Sequence, residues 1–457
     1  MTGAAEEAAP GSGNAPLSSQ RTAGDDGPGG VTLFGLFLAL GLIACGYAWM
    51  TVHQRNAGTL SGSSLAIHSH TVITRWLDHG YLASHGLLWP VAGENTIYRS
   101  GTGAYMISGF LVEKIWMAST GHYGWRLLAL HNELVSLLTS ALFALLACRA
   151  ARRFGVAPLR CCVMGVAAQM VWLTFPDNLA VYWGLSEQAY FLPFAICFLL
   201  LEERALDGRR TRLITILQAF SVFAMTYMEY IAGTMFLAAY LATVLLLRGE
   251  RPPLRRLGAI LLLPWVCAFA IYGLQLNGAR RERSRTGVTL SGSSFAYRSG
   301  LDGDAMFYGD HLDIAFGRDV VRAGRPDNPQ FLFRWPWLFF AGAASVLASL
   351  AAYLRQRAPR FVVVALFVLL GSWLLYAAVF SQAVALHPYH FDVMLATPLI
   401  LALFAIVPAS VESRSGSTGM IVLLALFAAT WLSLFQLRIY ALCYPAPQPA
   451  AVLQVPR

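Results

Sequence analysis

Apolar runs of similar length alternate along this chain with short polar stretches. A membrane-spanning helix needs about 20 apolar residues, because the hydrocarbon core is about 30 Å thick and a helix rises about 1.5 Å per residue. About eleven such runs occur, near 31–50, 124–148, 160–176, 180–201, 211–227, 230–247, 257–275, 336–354, 361–381, 389–410 and 418–440. The pattern predicts an all-α integral membrane protein with about 11 transmembrane helices.

Arginine-rich connections indicate how these helices are oriented. The short turns near 177–180, 228–230 and 382–388 carry no arginine. Arginines cluster instead in the connections 149–160, 202–210, 248–256 and 355–360. Since an excess of Lys and Arg marks cytoplasmic loops, we expect these connections and the N-terminus in the cytoplasm, and the C-terminus outside.

This orientation places two long segments, 51–123 and 276–335, on the external side of the membrane. The apolar stretch 103–120 is interrupted by Glu113 and Lys114, which favours a juxtamembrane or re-entrant helix over a span. An amphipathic stripe predicts a further helix along the membrane surface. Its members are Leu65, Ile67, Val72, Ile73, Trp76, Leu77 and Tyr81.

Composition supports a membrane protein and sets the domain limits. Hydrophobic residues make up 57% of the chain and charged residues 12%, far from the roughly 25% charged of a soluble domain. The net charge of +9 comes from arginines between apolar runs, so no nucleic-acid partner is expected. We expect a disordered cytoplasmic tail over 1–30, a polytopic domain over 31–440 and an external tail over 441–457.

Two short sequences occur twice, once in each long external segment. TLSGSSLA at 59–66 is matched by TLSGSSFA at 289–296, and YRSG occurs at 98–101 and at 297–300. Either Ser/Gly-rich loops repeat by coincidence, or two similar loops line one cleft.

Charged and polar residues gather at the predicted external face. A charge deep in a membrane costs about 2.5–3.5 kcal/mol on insertion scales, so their position predicts a water-accessible cavity that opens outward. They are Asp78, Glu94, Arg99, Glu113, Asp177, Glu187, Glu229, His387, His390 and Asp392. Three of them have simpler alternatives: Asp177 as a helix N-cap, Glu229 solvated in a turn, and Asp78 paired with Arg75 on its own helix.

Metal and thiol chemistry receive little support. His68 and His70 alternate, but no third ligand stands at a fixed spacing, so no metal site is predicted and a divalent cation stays an open possibility for a cofactor. Six of the seven cysteines lie in or beside apolar runs, which predicts buried, inert thiols.

The order of these features resembles the GT-C superfamily of polytopic glycosyltransferases, and most nearly its bacterial dolichyl-phosphate-mannose transferase-like group. The resemblance covers roughly 31–410. It is carried by HSHTVITRWLDHGYLASHGLLWP (68–90), IYRSGTGAY (97–105), GHYGWRLLALHNELVSLL (121–138), FPDNLAVYWGLSEQAYFLPFAICFLLLEER (175–204) and VFSQAVALHPYHFDVMLATPLILALFA (379–405).

The resemblance implies transfer of a hexosyl or pentosyl group from a polyprenyl-phosphate sugar to a glycan, lipid or protein acceptor. The reaction would occur on the non-cytoplasmic face of a bacterial inner membrane. Candidate catalytic residues are Asp78, Glu94 and His70. Candidate substrate-binding residues are Tyr98, Arg99, Asp177, Glu187, Glu229, His387 and Tyr389, and the arginines of 280–285 are an alternative phosphate clamp.

The chain departs from the family pattern at two places. The acidic residue usual soon after the first span is replaced by His68 and His70, and the Pro-Pro segment by Ser-Gly-Thr-Gly at 100–103. Two other functions remain open: a transporter or flippase of envelope precursors, and a non-catalytic membrane protein of envelope assembly.

Overall fold

The computed structural model describes most of the predicted membrane domain. The described residues are 46, 64–88, 96–175, 178, 187–209, 211–246, 254–291, 336–355, 358–380, 388–415 and 419–443. The predicted tail 1–30, nearly all of the first predicted span and most of the segment 276–335 lie outside them. The same is true of nearly all of the predicted tail 441–457.

Each predicted span from 124–148 onward coincides with a helix. The helices are α1 (Ser64–His79), α2 (Ile107–Thr120), α3 (Trp125–Arg152), α4 (Pro158–Thr174), α5 (Glu187–Leu206), α6 (Arg212–Met228), α7 (Tyr230–Leu246), α8 (Leu254–Leu257, a π-helical turn at Gly258–Leu262, then Leu263–Thr286), α9 (Pro336–Leu354), α10 (Arg360–Val379), α11 (Pro388–Leu401, a π-helical turn at Ala402–Ile406, then Val407–Ser415) and α12 (Met420–Cys443).

Length and composition qualify several of these helices as membrane spans. Within the described residues, five are long and apolar enough: Leu130–Arg152, Gly258–Thr286, Arg360–Val379, Val393–Arg414 and Met420–Leu437. Four shorter apolar helices accompany them: Pro158–Thr174, Arg212–Met228, Tyr230–Leu246 and Ala341–Leu354. The prediction of a helical membrane protein is confirmed, and the count of about 11 spans stays a prediction.

Local sequence signals explain where many helices begin and end. Pro158 occupies the first turn of α4, where its missing N–H costs nothing. The Thr211 hydroxyl caps α6 by accepting a hydrogen bond from the backbone N–H of Ile214 at 3.2 Å. Gly121 and Gly287 end α2 and α8 with φ of 75° and 70°, the left-handed conformation that glycine adopts without strain.

Ion pairs join two of the arginine-rich connections, 149–160 and 202–210, to each other and to the end of α11. Arg153, just after α3, bonds to Glu203 at 2.9 Å and to Asp207, both at the end of α5. Arg160, at the start of α4, pairs with Glu412 near the end of α11. We call this end of the bundle the arginine end, and we call the end at which α3 begins, about 40 Å away by the rise of a helix, the outer end.

Both helices predicted in the first external segment are present at the outer end. In α1 the predicted apolar stripe is buried at Val72, Ile73 and Trp76, which are at most 2% exposed. The Trp76 ring packs edge-on against Tyr81 and against Phe110 of α2, with centroids 4.8 and 5.8 Å away. Aromatic packing therefore joins the two helices to each other.

A small sheet joins the two long external segments. The all-α prediction from the sequence did not include this sheet. Its strands are β1 (Leu87–Leu88), β2 (Thr96–Thr102) and β3 (Thr289–Ser291), in the order β1-β2-β3. Strand β2 runs antiparallel to β1 and parallel to β3. The first YRSG copy lies in β2 and the start of TLSGSSFA forms β3, so the repeated sequences pair across the two segments, although not copy to copy. Strands this short, and rich in Ser, Thr and Gly, show no clear alternation of apolar and polar residues, so the sequence did not predict them.

We predict that Gly233→Ala lowers the thermal stability of the detergent-solubilised protein. A Cβ at Gly233 would lie 2.6 Å from the Cα of Thr226, so α6 and α7 would have to separate. Overpacking of this kind costs about 1–3 kcal/mol. Differential scanning fluorimetry measures the change in Tm.

The matched control is Gly273→Ala in α8, where a Cβ would meet no atom within 4 Å. Since Ala favours helix more than Gly, this variant should keep or raise the Tm. Equal Tm values for both variants would show that α6 and α7 do not approach closely.

Candidate functional site

The turn 81–86 reverses the chain between α1 and β1 at the outer end. The Gly86 N–H donates to the Tyr81 carbonyl at 3.0 Å, and the His85 N–H donates to the Leu82 carbonyl at 3.0 Å. Gly86 has φ of 64° and His85 has φ of 57°. A positive φ is uncommon outside glycine, so the turn holds His85 in a backbone conformation that must be stabilised by its surroundings.

One face of α8 supports this turn. Tyr272, Gln275, Ala279 and Glu282 are three or four residues apart, so they share a helix face. Tyr272 and Ala279 are buried in a small apolar cluster completed by Leu87, Ile97 and Val288. This cluster fixes β1 and β2 against the last turns of α8.

Polar contacts complete the junction between the turn and the helices. The Gln275 amide donates to the Tyr227 hydroxyl at 2.7 Å and to the Gly86 carbonyl at 3.4 Å. The hydroxyls of Tyr81 and Tyr227 are 3.4 Å apart. Burial, and next the proximity of Tyr227, raise the pKa of Tyr81. The phenol therefore stays neutral at physiological pH.

Two glycines permit the close packing of this junction. The Gly103 N–H donates to the Gly86 carbonyl at 3.1 Å, and a Cβ at Gly103 would lie 2.6 Å from the Trp76 ring. A Cβ at Gly86 would collide with Gln275 and would lie 2.6 Å from the Tyr81 hydroxyl. Gly103 is the last residue of the Ser-Gly-Thr-Gly segment at 100–103, which stands where the GT-C pattern has Pro-Pro. A side chain does not fit at this position.

His85 is the most unusual residue of the site. Its Nε2 lies 4.0 Å from Glu282 Oε2, beyond hydrogen-bond distance, and its side chain is 23% exposed. Nε2 itself is buried and has no hydrogen-bond partner among the described residues. Gly278 makes room for the ring, since a Cβ there would lie 2.6 Å from Nδ1. The imidazole is held against α8, and its covered Nε2 has an unused hydrogen-bonding capacity.

Several arginines occupy the last turns of α8. Arg285 donates to Glu282 Oε1 at 2.9 Å. Arg280, Arg281 and Arg283 are exposed, and none of them has an acidic partner within the described part of the chain. These three exposed guanidinium groups, in the last turns of the helix that carries Glu282, form a basic surface that attracts anions.

Asp78 is exposed at the end of α1. Its Oδ1 accepts a hydrogen bond from the Tyr123 hydroxyl at 2.8 Å, so its partner comes from the α2–α3 connection instead of its own helix. Burial, and next this hydrogen bond, raise the pKa of Tyr123 to about 12. The phenol therefore keeps donating at neutral pH and leaves the second carboxylate oxygen available.

Glu229 and Glu113 are buried and bond to the starts of helices. Glu229, predicted to bind substrate or to be solvated in a turn, is 2% exposed, and its Oε1 accepts from the Ile231 N–H at 3.3 Å. Glu113 is 4% exposed, and its Oε2 accepts from the Gly124 N–H at 2.8 Å. Both carboxylates stabilise the positive end of a helix dipole, and Glu229 is not the solvated residue of the simpler alternative.

A second polar cluster lies within the bundle, between the outer halves of α3 and α5. The Tyr190 hydroxyl donates to Asn132 Oδ1 at 3.0 Å, and His131 Nδ1 lies 3.1 Å from the same oxygen. The His131 and Tyr190 rings stack with centroids 6.1 Å apart. None of these residues was a sequence candidate, although Glu187 precedes Tyr190 by one helical turn.

The remaining sequence candidates lie outside the described residues or are described by their backbone alone. Glu94, Asp177 and His387 lie outside the described residues. For the next group the structure describes the backbone only: His70 in α1, Tyr98 and Arg99 in β2, Glu187 at the start of α5 and Tyr389 in the first turn of α11. Strand pairing places Tyr98 opposite Leu88 and Ser291. Within the described part, no group of three His, Cys, Asp or Glu residues is arranged to hold a metal ion.

Sequence signals for the missed residues exist but are weak. The 275–278–282 spacing on α8 is helical, yet nothing in it indicates that the face meets a turn almost 200 residues earlier. A His-Gly pair at 85–86 is typical of a turn, without indicating a positive φ at the histidine. Only the pairing of the two external segments identifies these residues as neighbours.

No protein-family model and no curated protein sequence matches the chain. The fold is similar to crystal structures of the Archaeoglobus fulgidus oligosaccharyltransferase, one in the apo form and one tethered to an acceptor peptide by a disulfide bond. The TM-score is 0.49 for both, with 12% identity to the tethered form and 14% to the apo form. The matches cover 90% of this chain and 56–57% of those chains, so this chain spans little more than half their length.

We predict that cysteines at positions 96 and 289 form a disulfide bond in a background without native cysteines. Thr96 and Thr289 are direct partners between β2 and β3. Oxidation should convert most of the Thr96→Cys/Thr289→Cys protein to a cross-linked form, seen as a faster band on a non-reducing gel.

The control pair is Thr96→Cys/Ser291→Cys. An offset of two residues along the strand places the two Cα atoms about 8 Å apart on the diagonal, beyond the usual reach of a disulfide. Equal cross-linking of both pairs would contradict the register.

Proposed function

We propose that this chain is a membrane glycosyltransferase that acts at its outer end, moving a sugar from a polyprenyl-phosphate donor to an acceptor. The observation that carries the proposal is the position of His85. Its buried Nε2 lacks a partner in the described residues, and its ring packs against Gly278 of α8, whose last turns also carry the exposed Arg280, Arg281 and Arg283. A proton acceptor next to an anion-binding surface is the pair of groups that glycosyl transfer from a lipid phosphate requires.

The proposed reaction assigns one role to each group. An acceptor hydroxyl oxygen bonds to the anomeric carbon, and the bond from that carbon to the phosphate oxygen breaks. The electron pair of that bond leaves with the polyprenyl phosphate, whose extra negative charge the arginines stabilise. His85 Nε2 takes the hydroxyl proton, and the Glu282 carboxylate at 4.0 Å stabilises the imidazolium that forms.

The location suits a substrate with one end in lipid. Its polyprenyl tail would lie in the bilayer among the apolar helices, and its phosphate at the membrane surface, where α1 and the turn 81–86 lie. The finer parts of the proposal are a bacterial inner membrane, a cytoplasmic N-terminus and hexosyl or pentosyl transfer. Asp78, Glu94 and His70 are the competing proton acceptors, and Asp78 has a carboxylate oxygen that its bond to Tyr123 leaves available.

The assay uses proteoliposomes with decaprenyl-phosphate mannose or decaprenyl-phosphate arabinose and a total bacterial lipid extract as acceptor source. Release of decaprenyl phosphate is measured by mass spectrometry. We expect His85→Asn to lower the rate about 100-fold or more, the usual loss of a general base. Asparagine tolerates a positive φ, so this variant should keep the turn.

Two variants complete the experiment. His79→Asn changes an exposed histidine on the same segment and should keep the wild-type rate. Asp78→Asn should keep most activity if His85 is the base. A loss at Asp78 with full activity of His85→Asn would overturn the role of His85, and full activity in both would remove the assignment at this face.

The same vesicles separate the two alternative functions. A transporter or flippase would move the labelled donor across sealed vesicles without releasing decaprenyl phosphate. An assembly partner would do neither. The proposed transfer would be contradicted if folded wild-type protein gave either of these two results with both donors.

A further inference from the structure

A cavity of about 240 Å³ lies at the arginine end, away from the proposed transfer site. Its walls come from α9, α10 and α11, and Phe154 of the α3–α4 connection closes one side. The interior is apolar, with Val363, Leu366 and Phe367 of α10 among its lining residues. This cavity has no role in the function proposed above.

Two arginines give the cavity a charged boundary. Arg355 follows the end of α9 and Arg414 lies in the last turn of α11, and both line the cavity while remaining exposed to solvent. Within the described residues, neither has an acidic partner, whereas Arg153 and Arg160 of the same end are paired. The nearby carboxylate of Glu412 is bonded to Arg160, so it does not neutralise Arg414.

We propose that this cavity binds one anionic phospholipid, with part of an acyl chain inside and the phosphate between Arg355 and Arg414. An apolar interior with a cationic mouth matches the order of groups in such a lipid. Basic pockets between transmembrane helices on the cytoplasmic side are typical sites for anionic head groups. This position also agrees with the predicted cytoplasmic location of the arginine-rich connections.

The choice of lipid class follows from charge and volume. A free phosphate would leave the apolar interior empty, and a zwitterionic lipid would bring an ammonium group near two guanidinium groups. The cavity is smaller than the roughly 300–1,000 Å³ of typical small-molecule sites, so it suits a segment of one chain. A bound lipid would contact α9, α10 and α11 together, since all three line the cavity.

The test is native mass spectrometry of the full-length protein, with phosphatidylglycerol or phosphatidylcholine added at matched concentrations. Wild type should retain one phosphatidylglycerol that phosphatidylcholine does not replace. Arg355→Gln/Arg414→Gln should lower the apparent affinity for that lipid at least tenfold. Arg204→Gln/Arg212→Gln removes two exposed arginines of another connection at the same end and should keep wild-type retention.

A second pair of variants tests the apolar part of the site. Ala348→Trp places a large side chain at an exposed position of the cavity lining and should also abolish retention. Leu347→Trp, at the neighbouring exposed position outside the lining, is the control. Inorganic phosphate at 10 mM should not displace the lipid.

Three results would overturn the proposal. The first is unchanged retention in both Arg355→Gln/Arg414→Gln and Ala348→Trp. The second is equal retention of phosphatidylcholine. The third is a loss of lipid retention in Arg355→Gln/Arg414→Gln but not in Ala348→Trp, with displacement of the lipid by inorganic phosphate. That result would identify an anion site that does not hold an acyl chain. Every substituted residue is exposed, both at the cavity and in the two control variants. We therefore expect all variants to have Tm values near that of the wild type.

Discussion

The hydrocarbon core of a membrane cannot form hydrogen bonds with a peptide group, and the rest of this architecture depends on that constraint. Backbone in the hydrocarbon must satisfy its own N–H and C=O groups, which leaves helices as the solution for the apolar runs of this chain. In the described residues, turns and strands occur at the ends of the bundle. The two ends then differ in chemistry, one with arginine ion pairs and one with a small sheet.

The outer end shows how a short sheet can build a site that helices alone would not. Strands β2 and β3 come from segments far apart in sequence, and their pairing holds the turn 81–86 against the last turns of α8. Glycines at 86, 103 and 278 permit contact distances that any other residue would prevent. His85 and Glu282 become neighbours only because these contacts are all made together.

Helices were predictable from the sequence because their signals are local. The stripe in the sequence predicted the helix α1, although Val72, Ile73 and Trp76 pack within the protein and the prediction had them face the membrane. Arg153 lies in the predicted connection 149–160. For the site, the sequence predicted that polar residues gather at the external face, but not which of them contact each other. Asp78 was named and is described at the outer end, but Glu229 has a capping bond in place of solvent, and His85 and Glu282 were missed. Their meeting depends on strand register, which a Ser/Gly-rich sequence specifies weakly.

The proposed transfer requires that the outer end bind a lipid-linked sugar by its phosphate. The most direct measurement is a cryo-EM structure in nanodiscs with a polyprenyl phosphonate sugar that cannot be cleaved. We expect phosphonate oxygens within hydrogen-bond distance of at least one of Arg280, Arg281 and Arg283, and the sugar beside His85. A phosphonate bound elsewhere on the protein, with this surface empty, would contradict it.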